Sequence, residues 1–544
     1  MSTPTRASTL LERPAEPPAT TPTTDPATLQ TWLKLAGRGM LFSYWAHAFG
    51  DRPAIHSPRG GRSFAELNAN ANRLLAALRA AGLGNGSPVA ALCGNIPQFV
   101  EVMLACQRGG LRLTPINWHL AADEIAYILD DCGAQAWIVQ ADLADKVATA
   151  DPRQTSCRLA VDGPIAGFAD YAAALAGHPG TDPDDAVLGR TMLYTSGTTG
   201  RPKGVVKGSA VALMPMRAGT PFDYRDGDVN LLCGPGYHGG PMAFDLLFPL
   251  SSGAAIVMME KFDARETLAL IERYRVTHTH MVATMFQRLL ALPEAERVAH
   301  DLSSLRMVVH GAAPTAPDVK RQMIDWFGPV LWEYYSATEV ATKINITSEE
   351  WLRKPGSVGC IPPESGICIL DDDDRPCPTG VSGRICFPNP ATGETRYHNA
   401  PDKNRDVFGG AHFTVGDIGY VDADGYLFLT GRSAETIISG GVNIYPQEID
   451  NALLRHPAVA QSCTVGVPNR EWGEEVRGVV LLAPGYVGTP ELVAELLASL
   501  RGQLADYKIP RSIDLVAAIP QSEAGKVLRT QVRQSYWAEH DRSI

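Results

Sequence analysis

From Leu29 onward, short apolar runs alternate with stretches of helical periodicity, and this alternation limits the fold more than any other feature. Ser63 to Ala81 reads as a helix: Ser63 stands at the cap position, Glu66 follows three residues later, and apolar residues recur at helical spacing. Pro88 to Cys93 is an apolar run closed by Gly94-Asn95, the pattern of a buried strand and a turn. Helices are then expected at 96–109 and 122–131, with a strand at 136–139. The same unit returns with a strand at 254–258, a helix at 264–274 and a strand at 277–282. Such repetition implies largely parallel sheets covered by helices.

The texture changes after about Ser357. Gly, Pro and Asp become dense, and short strands at 366–370 and 383–387 replace helices. The acidic run Asp371 to Asp374 lies between them beside Arg375-Pro376 and reads as a solvated turn rather than a metal site. A boundary is expected near 431–435. Beyond it come a helix at 446–455, strands at 459–467 and 476–482, a helix at 489–503 and a strand at 512–516, enough for a small separate domain.

At 544 residues the chain is too long for one small domain. Hydrophobic residues at 45% and charged residues at 20% exclude a mainly disordered chain. The formal charge of -11 leaves no global positive field for nucleic acid, so an anionic ligand must be held by a local site. Ten scattered cysteines without a C-x-x-C pair point to reduced thiols and a cytoplasmic setting. No apolar run reaches the length of a transmembrane helix, and the Thr/Pro/Ala-rich start lacks the apolar region of a signal peptide, which leaves a flexible tail over 1–28 as the expectation. A homodimer is compatible with these features.

The stretch with the most chemistry is Tyr194-Thr195-Ser196-Gly197-Thr198-Thr199-Gly200-Arg201-Pro202-Lys203-Gly204. Glycines let main-chain N–H groups approach an anion, hydroxyls donate hydrogen bonds, and a lysine adds charge. That is the makeup of a phosphate loop, although the Gly-Lys-[Ser/Thr] spacing of a Walker A loop is absent.

The string resembles the signature of the adenylate-forming superfamily, which includes acyl-CoA synthetases, luciferases and peptide-synthetase adenylation domains. Further family-like segments follow in the family's order: His310-Gly311-Ala312-Ala313-Pro314, Tyr335-Ser336-Ala337-Thr338-Glu339, Thr414-Val415-Gly416-Asp417, Gly431-Arg432, Gly440 to Glu448, and Gly525-Lys526-Val527-Leu528-Arg529. Together they span residues 45 to 535 or so.

The resemblance implies an α/β fold. A large N-terminal domain (29–431) would hold mainly parallel sheets plus a short-stranded β subdomain, followed by a hinge (432–435) and a small mobile α+β lid (436–544). It also implies two half-reactions, in which a carboxylate and ATP give acyl-AMP and pyrophosphate, and a thiol, usually that of CoA, then displaces AMP. Thr195, Ser196, Gly197, Thr198, Thr199, Gly200 and Lys203 would hold the β- and γ-phosphates. Thr338 would bond the α-phosphate and Glu339 would ligate Mg²⁺. Tyr335 would stack on adenine beside Gly311, Ala312 and Ala313, and Asp417 with Arg432 would hold the ribose. Lys526 would bridge carboxylate and α-phosphate in the first transition state, and Gly440-Gly441 would line the pantetheine tunnel.

His238 would gate the acyl pocket. Tyr237, Gly239, Gly240, Met242, Met281, Met285 and Phe286 are expected around that pocket, where methionines adapt to varied shapes. His278 and His280 share one strand face and read as packing or pocket residues rather than a zinc pair. The chain departs from the family pattern at Ser336, where Gly is usual, at Ala434 in the hinge, where Asp or Lys is common, and at Ala283, where Pro is common. The expected activity is an ATP-dependent carboxylate–CoA ligase for an apolar acid, either a fatty acid or a bulky ring-bearing one. The alternative is the same adenylation with an amine or a carrier-protein thiol as acceptor, any carrier being a separate chain. A non-catalytic nucleotide-binding protein is disfavoured by the retention of Lys526, Glu339 and Asp417.

Overall fold

The computed structural model describes residues 25–148, 150, 155–195, 202–207, 212–313, 315–389, 395–432, 435–439, 442–469, 472–501, 503–504, 506–522 and 525–538. Ser196 to Gly200, Arg201, Pro314, Ser433, Ala434, Gly440 and Gly441, all named above, lie outside the described residues.

Two parallel sheets form the frame of the large domain. One has six strands, all paired in parallel, with Pro88–Leu92 between Ala136–Gln140 and Arg112–Pro115. The other has eight strands. Its centre runs parallel through Met307–His310, His278–Met281, Val229–Leu232 and Ala255–Met258, and both edges are closed by antiparallel pairs. The helix Phe64–Ala80 begins with a complete capping box, in which Ser63 Oγ accepts from Glu66 N and Glu66 Oε2 accepts from Ser63 N. It packs with the helix Pro97–Arg108, which is buried along nearly its whole length, and together they join the two sheets into one core with Leu74, Val102, Leu250 and Ile256. Each such fully buried aliphatic side chain contributes about 1.5–3 kcal/mol.

A five-stranded antiparallel sheet follows, with the order Ser357–Cys360, Tyr426–Arg432, His412–Val421, Gly383–Pro388, Cys368–Leu370. This is the short-stranded subdomain expected from the Gly/Pro/Asp texture. The acidic run Asp371–Asp374 is a turn there, with Asp371 Oδ1 accepting from the main-chain N–H groups of Asp373 and Arg375. Beyond residue 435 a second, mostly antiparallel sheet is built on Gly473–Leu482 and encloses its own core of Ile437, Ile449, Leu453, Val480 and Leu496.

Several element ends shift by one to three residues, and two differences have a local cause. Residues 26–28, assigned to the tail, are the first turn of a helix Pro26–Ala36, because Asp25 caps it through the N–H groups of Ala27 and Thr28. The single strand expected at 459–467 is two strands, Val459–Ser462 and Val465–Asn469. The buried Asp450 carboxylate interrupts it by accepting from Thr464 N at 2.7 Å and Ser462 Oγ at 2.8 Å.

Candidate active site

The site lies where the eight-stranded sheet, the five-stranded sheet and the small domain meet. Its most ordered part is a carboxylate. Asp417 lies opposite Arg432 in the antiparallel pairing, and Arg432 Nε is 3.0 Å from Asp417 Oδ1. The Tyr335 hydroxyl donates to Asp417 Oδ2 at 2.8 Å. Tyr335 lies near the end of the strand Leu331–Ala337, is buried, and packs against Phe387 at a ring distance of 6.3 Å. Gly311 is buried against Tyr334, and the next residue, Ala312, takes a left-handed turn at φ +64° that leaves Ala312 exposed and Ala313 half-buried. The residues expected at the adenine and ribose therefore converge.

Thr338 and Glu339 follow directly on the same strand end, both half-buried. Glu339 Oε1 accepts from the Tyr397 hydroxyl at 3.0 Å, and its main-chain oxygen accepts from Lys207 Nζ at 3.2 Å. The Lys203 ammonium lies 6.0 Å and the Lys403 ammonium 5.8 Å from the centre of the Tyr397 ring. Burial and the neighbouring Lys403 charge bring the pKa of Lys203 down to about 8. The Gly/Thr-rich loop joins the strands Leu193–Thr195 and Lys203–Lys207, which pair antiparallel with Thr195 opposite Lys203. Thr195 and Lys203 thus stand on either side of the loop mouth. Tyr397, Lys403 and Lys207 were not singled out in the sequence, although Lys203 and Lys207 both being odd-numbered on one strand puts them on one face.

Lys526 reaches this place from the small domain. Its pKa is lowered by burial and by Arg432, while the Glu435 and Asp417 carboxylates pull the other way, so the ammonium lies within the field of the ribose-side pair. Gly525 is required at the preceding position. Its φ is +72°, and a Cβ there would sit 2.0 Å from Oγ1 of Thr284 in the large domain. Arg529, one turn on, ties the core of the small domain to the segment that begins at Glu435, by contacts to Asp450 at 2.8 Å and Glu435 at 3.1 Å.

The apolar side departs from expectation. A cavity of about 240 Å³ opens beside Thr338, between the hairpin strands, the helix Pro97–Arg108 and the segment Gly239–Leu247. Gly239 and Met242 line it, with Met103, Leu113, Leu193 and Leu247. Tyr237, Gly240, Met281, Met285 and Phe286 do not. Met281 and Phe286 are fully buried in the core behind the sheet, with Met285 beside them. The space left by Gly240 is already taken: a Cβ there would lie 2.8 Å from the Tyr334 hydroxyl and 3.0 Å from the His280 ring. Tyr237 is buried with its ring 4.6 Å from that of His238. Burial and the nearby His119 hold the pKa of His238 down at about 4, so the imidazole is neutral at pH 7. His278 and His280 are buried packing residues. His278 Nε2 meets Phe222 O at 2.7 Å, and His280 Nε2 meets the Tyr334 hydroxyl at 3.2 Å.

Comparison with known proteins identifies the family. Residues 42–395 match the family model described as AMP-binding enzyme, and 448–526 match that of the AMP-binding enzyme C-terminal domain. The fatty acid–[acyl-carrier-protein] ligase ScoC of Streptomyces coeruleorubidus is 31% identical over 512 residues, covering 90% of this chain and 95% of its own. The indoleacetate–CoA ligase of Aromatoleum aromaticum is 33% identical over 490 residues, covering 89% and 95%. Among solved structures, the amide bond synthetase McbA of Marinactinospora thermotolerans superposes with a TM-score of 0.78 at 27% identity, over 92% of this chain and 99% of its own. With both domains matched and the motifs brought to one place, the chain belongs to the adenylate-forming superfamily of AMP-binding enzymes.

Proposed function

We propose that the chain is an ATP-dependent carboxylate–CoA ligase for an apolar acid, working through an acyl-adenylate. The observation that carries this reading is the position of Thr338. It borders the apolar cavity on one side and continues, through Tyr335, into the Asp417–Arg432 pair on the other. An acid held in the cavity would place its carboxylate where an α-phosphate held by Thr338 would lie. The lining supports an acid with an aliphatic chain or ring system, since most of it is apolar, with leucines, Met103, Met242, Val205 and Ala243 among its side chains.

The first step would bring two anions together. Asp417, by accepting from both ribose hydroxyls, and Tyr335, by stacking on adenine, would fix the nucleotide. Thr195 and Lys203 at the loop mouth would receive the β- and γ-phosphates. Lys526, approaching from the lid, would stabilise the charge that builds as carboxylate attacks phosphorus, which is where a preorganised cation lowers a barrier most. Glu339 fits a Mg²⁺ site: it is a hard oxygen donor with Oε1 already oriented by Tyr397. Bound there, Mg²⁺ would offset triphosphate charge. For the second step the lid would rotate about 432–435, exchanging Lys526 for the Gly440-Gly441 segment, which lies in sequence between the paired strands Ile437–Ser439 and Val442–Ile444. His238, next to the cavity-lining Gly239 and neutral, would gate thiol access.

The test is pyrophosphate release with decanoate, palmitate, phenylacetate, indole-3-acetate and ferulate, each with and without CoA. Acid-dependent pyrophosphate, followed by AMP release that requires CoA, supports the ligase. AMP release driven instead by an amine or by a carrier protein assigns the acceptor to the alternative reading.

A further inference from the structure

Lys207 is half-buried, lies at the cavity, and has no part in the scheme above. The strand Lys203–Lys207 has two faces. Gly204 and Val206 turn to the core, against Met192 and Tyr194. Val205, opposite Leu193 of the paired strand, and Lys207 line the cavity. The Lys207 ammonium is held at the Thr338 end, because its Nζ donates to the main-chain oxygen of Glu339 at 3.2 Å. A lysine ammonium has three donors. Among the described residues this is its one hydrogen bond, and no carboxylate lies within ion-pair distance. The Glu339 carboxylate is itself turned to Tyr397. Arg190, the other cation in the lining, is exposed to solvent. A cation half-removed from water, with donors to spare, at the reacting end of an apolar cavity is placed to meet an anion; burial lowers its pKa, and the nearby Glu339 charge partly restores it.

We propose that Lys207 binds the carboxylate of the acid substrate before adenylation. This rests on the ligase reading above and deepens it. The division of labour follows from where the two lysines are rooted. Lys526 arrives with the lid and serves the transition state, whereas Lys207 belongs to the large domain and is present whether or not the lid is closed. It acts on the free carboxylate, whose negative charge disappears once the acyl-adenylate forms. The loss of Lys207 therefore raises the KM for the acid, spares kcat, and leaves the thiol step untouched.

The test uses decanoate and indole-3-acetate, with decanamide and indole-3-acetamide as neutral isosteres. In Lys207→Met the acid KM in pyrophosphate release rises about ten- to a hundredfold, while the inhibition constant of the matching amide changes less than threefold or so, since an amide carries no charge for the lysine to meet. Thioester formation from supplied acyl-AMP stays at the wild-type rate. Lys207→Gln is a second neutral variant in case methionine disturbs folding, and Lys207→Arg recovers most of the acid affinity. An unchanged acid KM in both neutral variants overturns the proposal. So does a parallel loss of acid binding, amide binding and the thiol step, which marks a purely structural lysine. If the wild type releases no pyrophosphate with any acid of the screen, the ligase reading fails, and the role of Lys207 with it.

Discussion

The two ends of the site are built differently. At the end proposed to take the nucleotide, polar groups hold one another: Asp417 meets Arg432 and Tyr335, and Glu339 meets Tyr397. At the end proposed to take the acid the walls are mostly apolar side chains, with Lys207 and Thr338 at one end, and the cavity is whatever space their packing leaves. Polar recognition needs particular atoms at particular places, so it leaves a signature in residue types. An apolar cavity needs only volume, which many side-chain combinations supply. The first end sets the reaction that the site would perform, and the second would set the acid it accepts.

The contrast is sharpest at Lys526. Lys526→Ala is expected to lower adenylation about 10²–10³-fold, with thioester formation from supplied acyl-AMP largely preserved; measuring the half-reactions separately checks this, and an equal fall in both would remove the assigned role. Next in size is Asp417→Asn. It weakens a charge-assisted ribose contact and leaves Arg432 without its partner, so the KM for ATP should rise about ten- to a hundredfold, with the KM for the acid unchanged.

At the acyl end, Met242→Ala should enlarge the cavity and move the preference among the screened acids toward bulkier members by about tenfold in kcat/KM. Met285→Ala serves as its control: it should lower stability by about 2–5 kcal/mol in denaturant unfolding and leave the order of acids as it was. If Met285 rather than Met242 reorders the acids, the assignment of the cavity is wrong. The smallest effect is expected at Glu339→Gln, a several-fold rise in the Mg²⁺ concentration needed for half-maximal rate, because an amide oxygen is a weaker donor to a hard cation.

What was legible in the sequence follows the same divide. Ser63 with Glu66 announced a helix that starts at Phe64, and the apolar runs at 88–93 and 136–139 announced parallel strands, because caps and periodicity are local. The convergence of Tyr335, Asp417, Arg432 and Lys526 was legible only through the resemblance, since no local pattern brings residues so far apart together. Met281 and Phe286 were placed at the acyl pocket because apolar residues next to a motif look alike whether they face a ligand or the core. Their strand and helix turn them into the packing behind the sheet. Gly240 misled in the same way, since a missing side chain marks close approach of Tyr334 and His280 as readily as it marks space. Lys207 went unread because a strand lysine usually faces water, and only the paired hairpin shows it facing a cavity.

The account turns on whether the carboxylate is activated as an adenylate. The most direct measurement is exchange of labelled pyrophosphate into ATP, with decanoate and indole-3-acetate as acids and no CoA. The account predicts exchange that requires acid and Mg²⁺, proceeds without CoA, and is lost in Lys526→Ala. Exchange that is absent until CoA is added, or acid-dependent release of ADP and phosphate instead of AMP and pyrophosphate, would contradict it.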